Sequence, residues 1–182
     1  MGSEMCIRDR YYAQCIKENN VQADTLFGPA YKGIPLAAAC SIALSNKYGI
    51  DVNYAFDRKE AKDHGEGGVI VGKKFQDREK IAIIEDVITA GTAIRAVLPL
   101  LKSQADVDIT ALIISVDRME RGQGEKSALT EISEKYGMKT TAIVTMEEVV
   151  EHLYNKPYKG KVIIDDKLKA AIDAYYDQYG VK

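Results

Sequence analysis

Between Lys80 and the acidic pair Glu85-Asp86, the residues Ile81, Ala82, Ile83 and Ile84 follow one another without a polar interruption. A strand with one wet face alternates polar and apolar side chains, so an unbroken run bounded by charges predicts a strand covered on both faces. Double coverage needs helices above and below, which makes an α/β fold with a mostly parallel central sheet the architecture to expect. The surrounding pattern agrees. Apolar runs at 25–28, 52–56, 69–71, 108–116 and 140–145 read as further strands, and amphipathic or Ala-rich segments at 11–19, 32–47, 92–102, 125–136, 147–154 and 165–179 as helices. Gly49 supplies a stop for the second helix and Pro99 a kink or local end in the third. The polar, glycine-rich stretch 57–68 offers no face to bury and is expected to be a mobile loop.

A chain of 182 residues suits one domain, and 46% hydrophobic with 29% charged residues excludes disorder and fibrous repetition. Lys+Arg 25 against Asp+Glu 27 leaves a net charge of −2, so there is no broad positive field for a nucleic-acid backbone. Cys6, Cys15 and Cys40 form an odd set without metal-ligand spacing, which argues against a disulfide framework or zinc cluster and for a reducing, cytoplasmic setting. No apolar stretch reaches the roughly 20 residues of a membrane-spanning helix. Residues 1–10 carry four charges and no continuous apolar segment, so they are no secretory signal; they read as a non-native or disordered leader, with 11–182 as the single domain.

The chemistry concentrates where the buried run ends. Glu85-Asp86 is followed by Val87-Ile88-Thr89-Ala90-Gly91-Thr92-Ala93-Ile94, a small-residue loop opening into a helix. Ligands of open α/β sheets sit beyond the carboxyl ends of strands, where loop N–H groups and a helix N-terminus receive a phosphate. Gly91 permits close approach, and Thr89 and Thr92 add hydroxyl donors. Glu85 and Asp86 would repel a phosphate but accept hydrogen bonds from sugar hydroxyls or face Mg²⁺. A sugar phosphate satisfies both halves. Neither G-x-x-x-x-G-K-[ST] nor G-x-G-x-x-G occurs in the chain, which removes the common nucleotide-binding readings.

The run from Ile83 to Ile94 resembles the phosphoribosyl-pyrophosphate (PRPP) signature of the type I phosphoribosyltransferases. Further segments resemble the orotate phosphoribosyltransferases among them: Phe27-Gly28-Pro29-Ala30-Tyr31-Lys32-Gly33-Ile34-Pro35, Arg58-Lys59-Glu60-Ala61-Lys62-Asp63-His64-Gly65-Glu66-Gly67-Gly68, and Asp117-Arg118-Met119-Glu120-Arg121-Gly122. The resemblance implies transfer of ribose 5-phosphate from PRPP to orotate, giving orotidine 5′-phosphate and pyrophosphate in pyrimidine synthesis, with Mg²⁺ required. It implies PRPP contacts from Tyr31, Lys32 and residues 85–94, and a flexible catalytic loop at 58–68. In that loop Lys59 would act within its own subunit while Arg58, Lys62 and His64 reach the neighbouring site of a homodimer. Arg118 would bind the orotate carboxylate, with Thr89 as a second orotate contact. Such cations can neutralise a departing pyrophosphate, and a guanidinium fork suits a planar carboxylate.

Two departures stand out. Nothing before Phe27 matches the family's N-terminal hood over orotate, and Glu85 stands where the family usually has Asp. The alternatives are a purine or uracil phosphoribosyltransferase, which would share 85–92 but not the 59–68 loop, and a non-catalytic PRPP-binding regulator. His152 lies among glutamates as a solvent-exposed helix residue, and Tyr175, Tyr176 and Tyr179 cluster near the chain end as packing or interface residues.

Overall fold

The structure, a computed structural model, describes residues 2–62, 68–88 and 91–181, with the side chains of 2–7 and 59–62 outside the description. Helix α1 (Gly2–Glu18) precedes β1 (Thr25–Gly28), α2 (Gly33–Tyr48), β2 (Asn53–Lys62), β3 (Gly68–Gly72) and β4 (Lys80–Glu85). Then come α3 (Thr92–Gln104), β5 (Asp108–Asp117), α4 (Ala128–Tyr136), β6 (Lys139–Thr145) and α5 (Met146–Leu153). A short hairpin of β7 (Pro157–Tyr158) and β8 (Lys161–Val162) leads to α6 (Asp166–Tyr179).

Six strands form one sheet in the order β3-β2-β1-β4-β5-β6, parallel throughout except for the antiparallel β2–β3 pair. The apolar run at 81–84 is β4 in the middle of this sheet, and all four of its side chains are fully buried. Strand periodicity divides them. Ile81 and Ile83, with Phe27, Leu112 and Ile114, pack beneath Ile94, Leu98 and Leu101 of α3 and Ile132 of α4. Ala82 and Ile84, with Leu26, Ala111 and Ile113, pack beneath Tyr12 and Ile16 of α1 and Leu36, Cys40 and Leu44 of α2. Each fully buried isoleucine contributes about 1.5–3 kcal/mol of burial free energy, which is why the run tolerates no polar residue.

Several boundaries differ from expectation. The segment 57–68 is not a loop from its start: β2 continues through Lys62, which pairs with Gly68 after a register irregularity that follows Asp57. Main-chain pairing to the edge strand β3 asks nothing of side-chain hydrophobicity, and charged side chains are at home on a sheet edge. Pro99 neither ends nor divides α3, which runs on to Gln104. It sits on the exposed face, where water can satisfy the carbonyl its missing N–H leaves unpaired. α4 starts at Ala128 because the Ser127 side chain accepts from Thr130 N–H and caps the helix there. Residues 2–10, set apart in the sequence as a leader, form the first turns of α1. Among the described residues, no helix is long and apolar enough to cross a membrane.

Candidate active site

The strand order reverses direction between β1 and β4: the chain leaves β1 toward β2 on one side and β4 toward β5 on the other. In open α/β sheets the crevice at such a switch point, outside the carboxyl ends, is the ligand site. Four of the sequence segments reach this edge. Residues 29–33 follow β1, 57–62 extend β2, 86–88 follow β4 ahead of the start of α3, and Arg118 follows β5.

The β1 segment is a turn closed on itself. Gly33 N–H donates to Pro29 O at 3.0 Å, and Ala30 N–H donates to Asp57 Oδ1 at 2.7 Å, tying the turn to β2. The Ala30–Tyr31 peptide is cis. A Cβ at Gly28 would lie 2.1 Å from Gly33 O, and one at Gly33 would lie 2.8 Å from Gly28 C, so each glycine is required by the other. Tyr31 is 66% exposed. Lys32 caps the start of α2, its side chain 81% exposed and its ammonium 3.7 Å from Asp86 Oδ2. A cation at a helix N-terminus is unfavourable unless an anion stands beside it, and Asp86 is that anion in the free protein.

Across the crevice, Glu85 and Asp86 play different parts. Glu85 Oε1 turns back to accept from Asp86 N–H at 2.8 Å. Burial pushes its carboxyl above the ordinary glutamate range, the Asp86 N–H pulls it partly back, and the Asp86 charge pushes it up again. Asp86 is held by Ser115, whose Oγ lies 2.7 Å from Asp86 O and 2.9 Å from Oδ1, and by Arg8 Nη1 at 3.2 Å from Oδ1. Tyr12 Oη donates to Glu85 O at 2.6 Å, so the strand end is pinned from α1 as well as from β5.

Val87 is exposed and Ile88 packs against the core, while Thr89 and Ala90 lie outside the described residues. Gly91 precedes α3 in the left-handed conformation (φ 70°), and a Cβ there would meet Ile132 Cδ1 at 2.9 Å. Among the described residues no side chain caps α3, and the N–H groups of its first turn, at Thr92, Ala93 and Ile94, are the donors that a helix start offers an anion. The Ile94 side chain is fully buried, which limits any ligand contact there to the backbone.

Arg58 is half-buried on the β2 extension; Lys59 and Lys62 belong to the same strand, and His64 lies outside the described residues. Arg118 follows β5 and pairs with Glu120, Nη2 to Oε1 at 2.5 Å. A groove of about 630 Å³ lies between α1 and α2, against Asp9, Ile42 and Asn46, and no predicted site residue lines it. The residues that sequence reasoning missed are supports: Asp57, Ser115, Arg8 and Tyr12. Their signal is a contact across the fold, which no local spacing carries.

Residues 6–134 match the family model described as a phosphoribosyl transferase domain. Over 182 residues, covering 100% of this chain and 81% of the relative, the chain is 59% identical to orotate phosphoribosyltransferase of Clostridium beijerinckii. The corresponding protein of Lachnoclostridium phytofermentans is 56% identical with the same coverage. The crystal structure of orotate phosphoribosyltransferase from Francisella tularensis superposes with a TM-score of 0.81 at 36% identity, covering 99% of this chain and 82% of that one. With a mostly parallel sheet whose switch point joins a closed glycine turn to two acids and a helix start, the chain belongs to the phosphoribosyl transferase family and, within it, to the orotate phosphoribosyltransferases.

Proposed function

We infer that the carboxyl edge at the switch point binds PRPP and orotate, and that the chain joins the ribose carbon of PRPP to N1 of orotate as the bond to pyrophosphate breaks, with inversion at that carbon. The observation that carries this reading is the meeting of the Gly28–Gly33 turn with Glu85-Asp86, Lys32 standing 3.7 Å from Asp86, in a chain of this family. Each half has one task. The 5-phosphate takes the N–H groups from Gly91 to Ile94, with Thr89, Ala90 and Thr92 closing around it. Glu85 and Asp86 accept from the ribose hydroxyls, flanked by Val87 and Ile88. Tyr31 and Lys32 hold the pyrophosphate side.

Charge develops in two places as the bond breaks: positive on the ribose ring and negative on the leaving pyrophosphate. Lys59, Lys62, Arg58 and His64 serve the second, and closing the arm over the substrate excludes water. The negative charge of orotate sits on its carboxylate, so N1 gives up its proton as the bond to carbon forms; the departing pyrophosphate can take that proton, and no protein base is assigned. Arg118, with Thr89, receives its carboxylate. Arg58, Lys62 and His64 act across a homodimer, and the reaction takes place in the cytoplasm; the free, buried thiols of Cys15 and Cys40 suit a reducing compartment.

Magnesium fits this donor set as an ion carried in by its substrate. Among the described residues no cluster of three or more metal-ligating side chains exists, and Asp86 is already engaged by Ser115, Arg8 and Lys32. Mg²⁺ commonly keeps several waters and binds through one or two carboxylates plus substrate phosphates, here Glu85 and Asp86. Bound so, it would neutralise pyrophosphate charge. The test is to supply PRPP, Mg²⁺ and a mixture of orotate, uracil, adenine and hypoxanthine, and to read products by mass spectrometry. Orotidine 5′-phosphate is expected; any other nucleotide as the main product overturns the reading.

A further inference from the structure

The last helix has no part in the site as described so far, yet it holds the turn that carries Arg118. None of its residues is buried. Tyr176 Oη donates to the carbonyl oxygen of Arg118 at 2.7 Å, and Tyr175 Oη donates to Glu120 Oε1 at 2.7 Å. That same carboxylate oxygen lies 2.5 Å from Arg118 Nη2, so one atom of Glu120 joins a phenol to the guanidinium. The backbone reinforces the link. Arg121 N–H donates to Tyr179 O at 2.9 Å and Val181 N–H to Met119 O at 3.0 Å, with a bridge between Glu120 and Gly180. Met119 between them adopts the left-handed conformation, at φ 53°. The turn is therefore clamped along its length by the chain end.

A guanidinium carries five N–H donors in a fixed fork. Glu120 engages one nitrogen, which leaves donors of the fork for a second planar carboxylate. An arginine left loose would lose rotamer freedom when it bound a ligand, and holding it beforehand removes that cost. As an isolated surface pair, Arg118–Glu120 would contribute almost nothing to folding, its arginine side chain being 42% exposed. A tyrosine hydroxyl spent on so weak a pair, and a second one on the backbone carrying it, make sense if the pair serves recognition.

We propose that Tyr175 and Glu120 are positioning residues for the pyrimidine, a relay from α6 that fixes the Arg118 guanidinium to receive the orotate carboxylate. The proposal rests on the reading of Arg118 given above. Orotidine 5′-phosphate and uridine 5′-phosphate differ only in that carboxylate, so their binding constants isolate its contribution, measured by titration calorimetry on the full chain. Tyr175→Phe removes the hydroxyl alone. It is expected to weaken orotidine 5′-phosphate about three- to tenfold while uridine 5′-phosphate stays within about twofold. In an Arg118→Ala background the same change should have no further effect, because the group it positions is gone. Equal weakening of both nucleotides would mean a general structural defect and overturn the relay. So would an unchanged orotidine 5′-phosphate affinity in Tyr175→Phe while Arg118→Ala weakens it. An Arg118→Ala variant that binds orotidine 5′-phosphate normally would overturn the carboxylate assignment itself, and the relay with it.

Discussion

Gly28→Ala tests whether the β1 turn is the rigid half of the site. The new Cβ would meet three backbone atoms, Gly33 O at 2.1 Å, Gly33 C at 2.4 Å and Ile34 N at 2.9 Å, and no rotamer change can relieve a backbone clash. An ordinary carbon–oxygen contact is about 3.3–3.6 Å, so the turn must open by roughly 1 Å. That opening strains the Gly33–Pro29 and Ala30–Asp57 hydrogen bonds, now 3.0 and 2.7 Å long. Each of the two bonds contributes about 0.5–1.5 kcal/mol, and forced overpacking adds about 1–3 kcal/mol, for a total of about 2–6 kcal/mol. For a chain of this size that lowers Tm by roughly 4–24 °C in a circular-dichroism melt. On the proposed reading the displaced atoms hold the pyrophosphate side, so PRPP affinity of the folded protein should fall more than about tenfold in a titration. Gly49→Ala is the control: Gly49 is left-handed (φ 63°), as Gly28 is not, and its Cβ would meet nothing within 4 Å. It should cost about 1 kcal/mol and leave PRPP binding alone. A Gly28→Ala protein with parental Tm and parental PRPP affinity would refute the argument that the two glycines lock the turn.

Lys62→Ala should lower kcat by about a hundredfold or more, as loss of leaving-group stabilisation does, with Tm unchanged; a parental kcat would remove Lys62 from the reaction. Glu85 has a raised pKa in the folded state, so the native protein holds that proton more tightly than the unfolded chain does. Its contribution to stability is therefore full below the ordinary carboxylate range and declines as pH rises through the raised value. Melting curves between about pH 4 and 7 should show the parent losing stability relative to Glu85→Gln as pH rises, and a constant difference would contradict the assigned shift. Ile83→Ala, in the fully buried β4 run, should cost about 2–5 kcal/mol in urea unfolding, whereas a loss below about 1 kcal/mol would mean that the site collapses around the cavity.

What the sequence made legible was whatever a local pattern can encode. The run from Ile81 to Ile84 announced a strand covered on both faces because burial on two sides removes the polar alternation, and β4 lies at the centre of the sheet with cores on either side. Gly49 marked a helix end because left-handed backbone favours glycine, and α2 ends there. The stretch 57–68 carries loop composition although β2 runs on through Lys62, because pairing with β3 is a main-chain interaction, invisible to a count of apolar residues. The site divides the same way. Its acids and glycines stand in compact motifs, but Asp57, Ser115 and Tyr12 reach it from other elements, and only the fold makes them neighbours. Tyr175 and Tyr176 were visible as a cluster; their purpose lay in atoms of the 118–120 turn.

The pairing of β1 with β4 has a kinetic consequence. Thr25 lies beside Ile81 and Phe27 beside Ile83, so the two halves of the crevice come together only when a stretch of more than fifty residues has closed into a parallel pair. Closing so long a loop is opposed by chain entropy before any contact rewards it, which places this event late and makes it slow. Until that pair closes, the chain cannot hold both halves of the crevice together. Recovery of PRPP binding after dilution from denaturant should consequently trail the return of helical signal, and no intermediate with native helix content should bind the sugar phosphate.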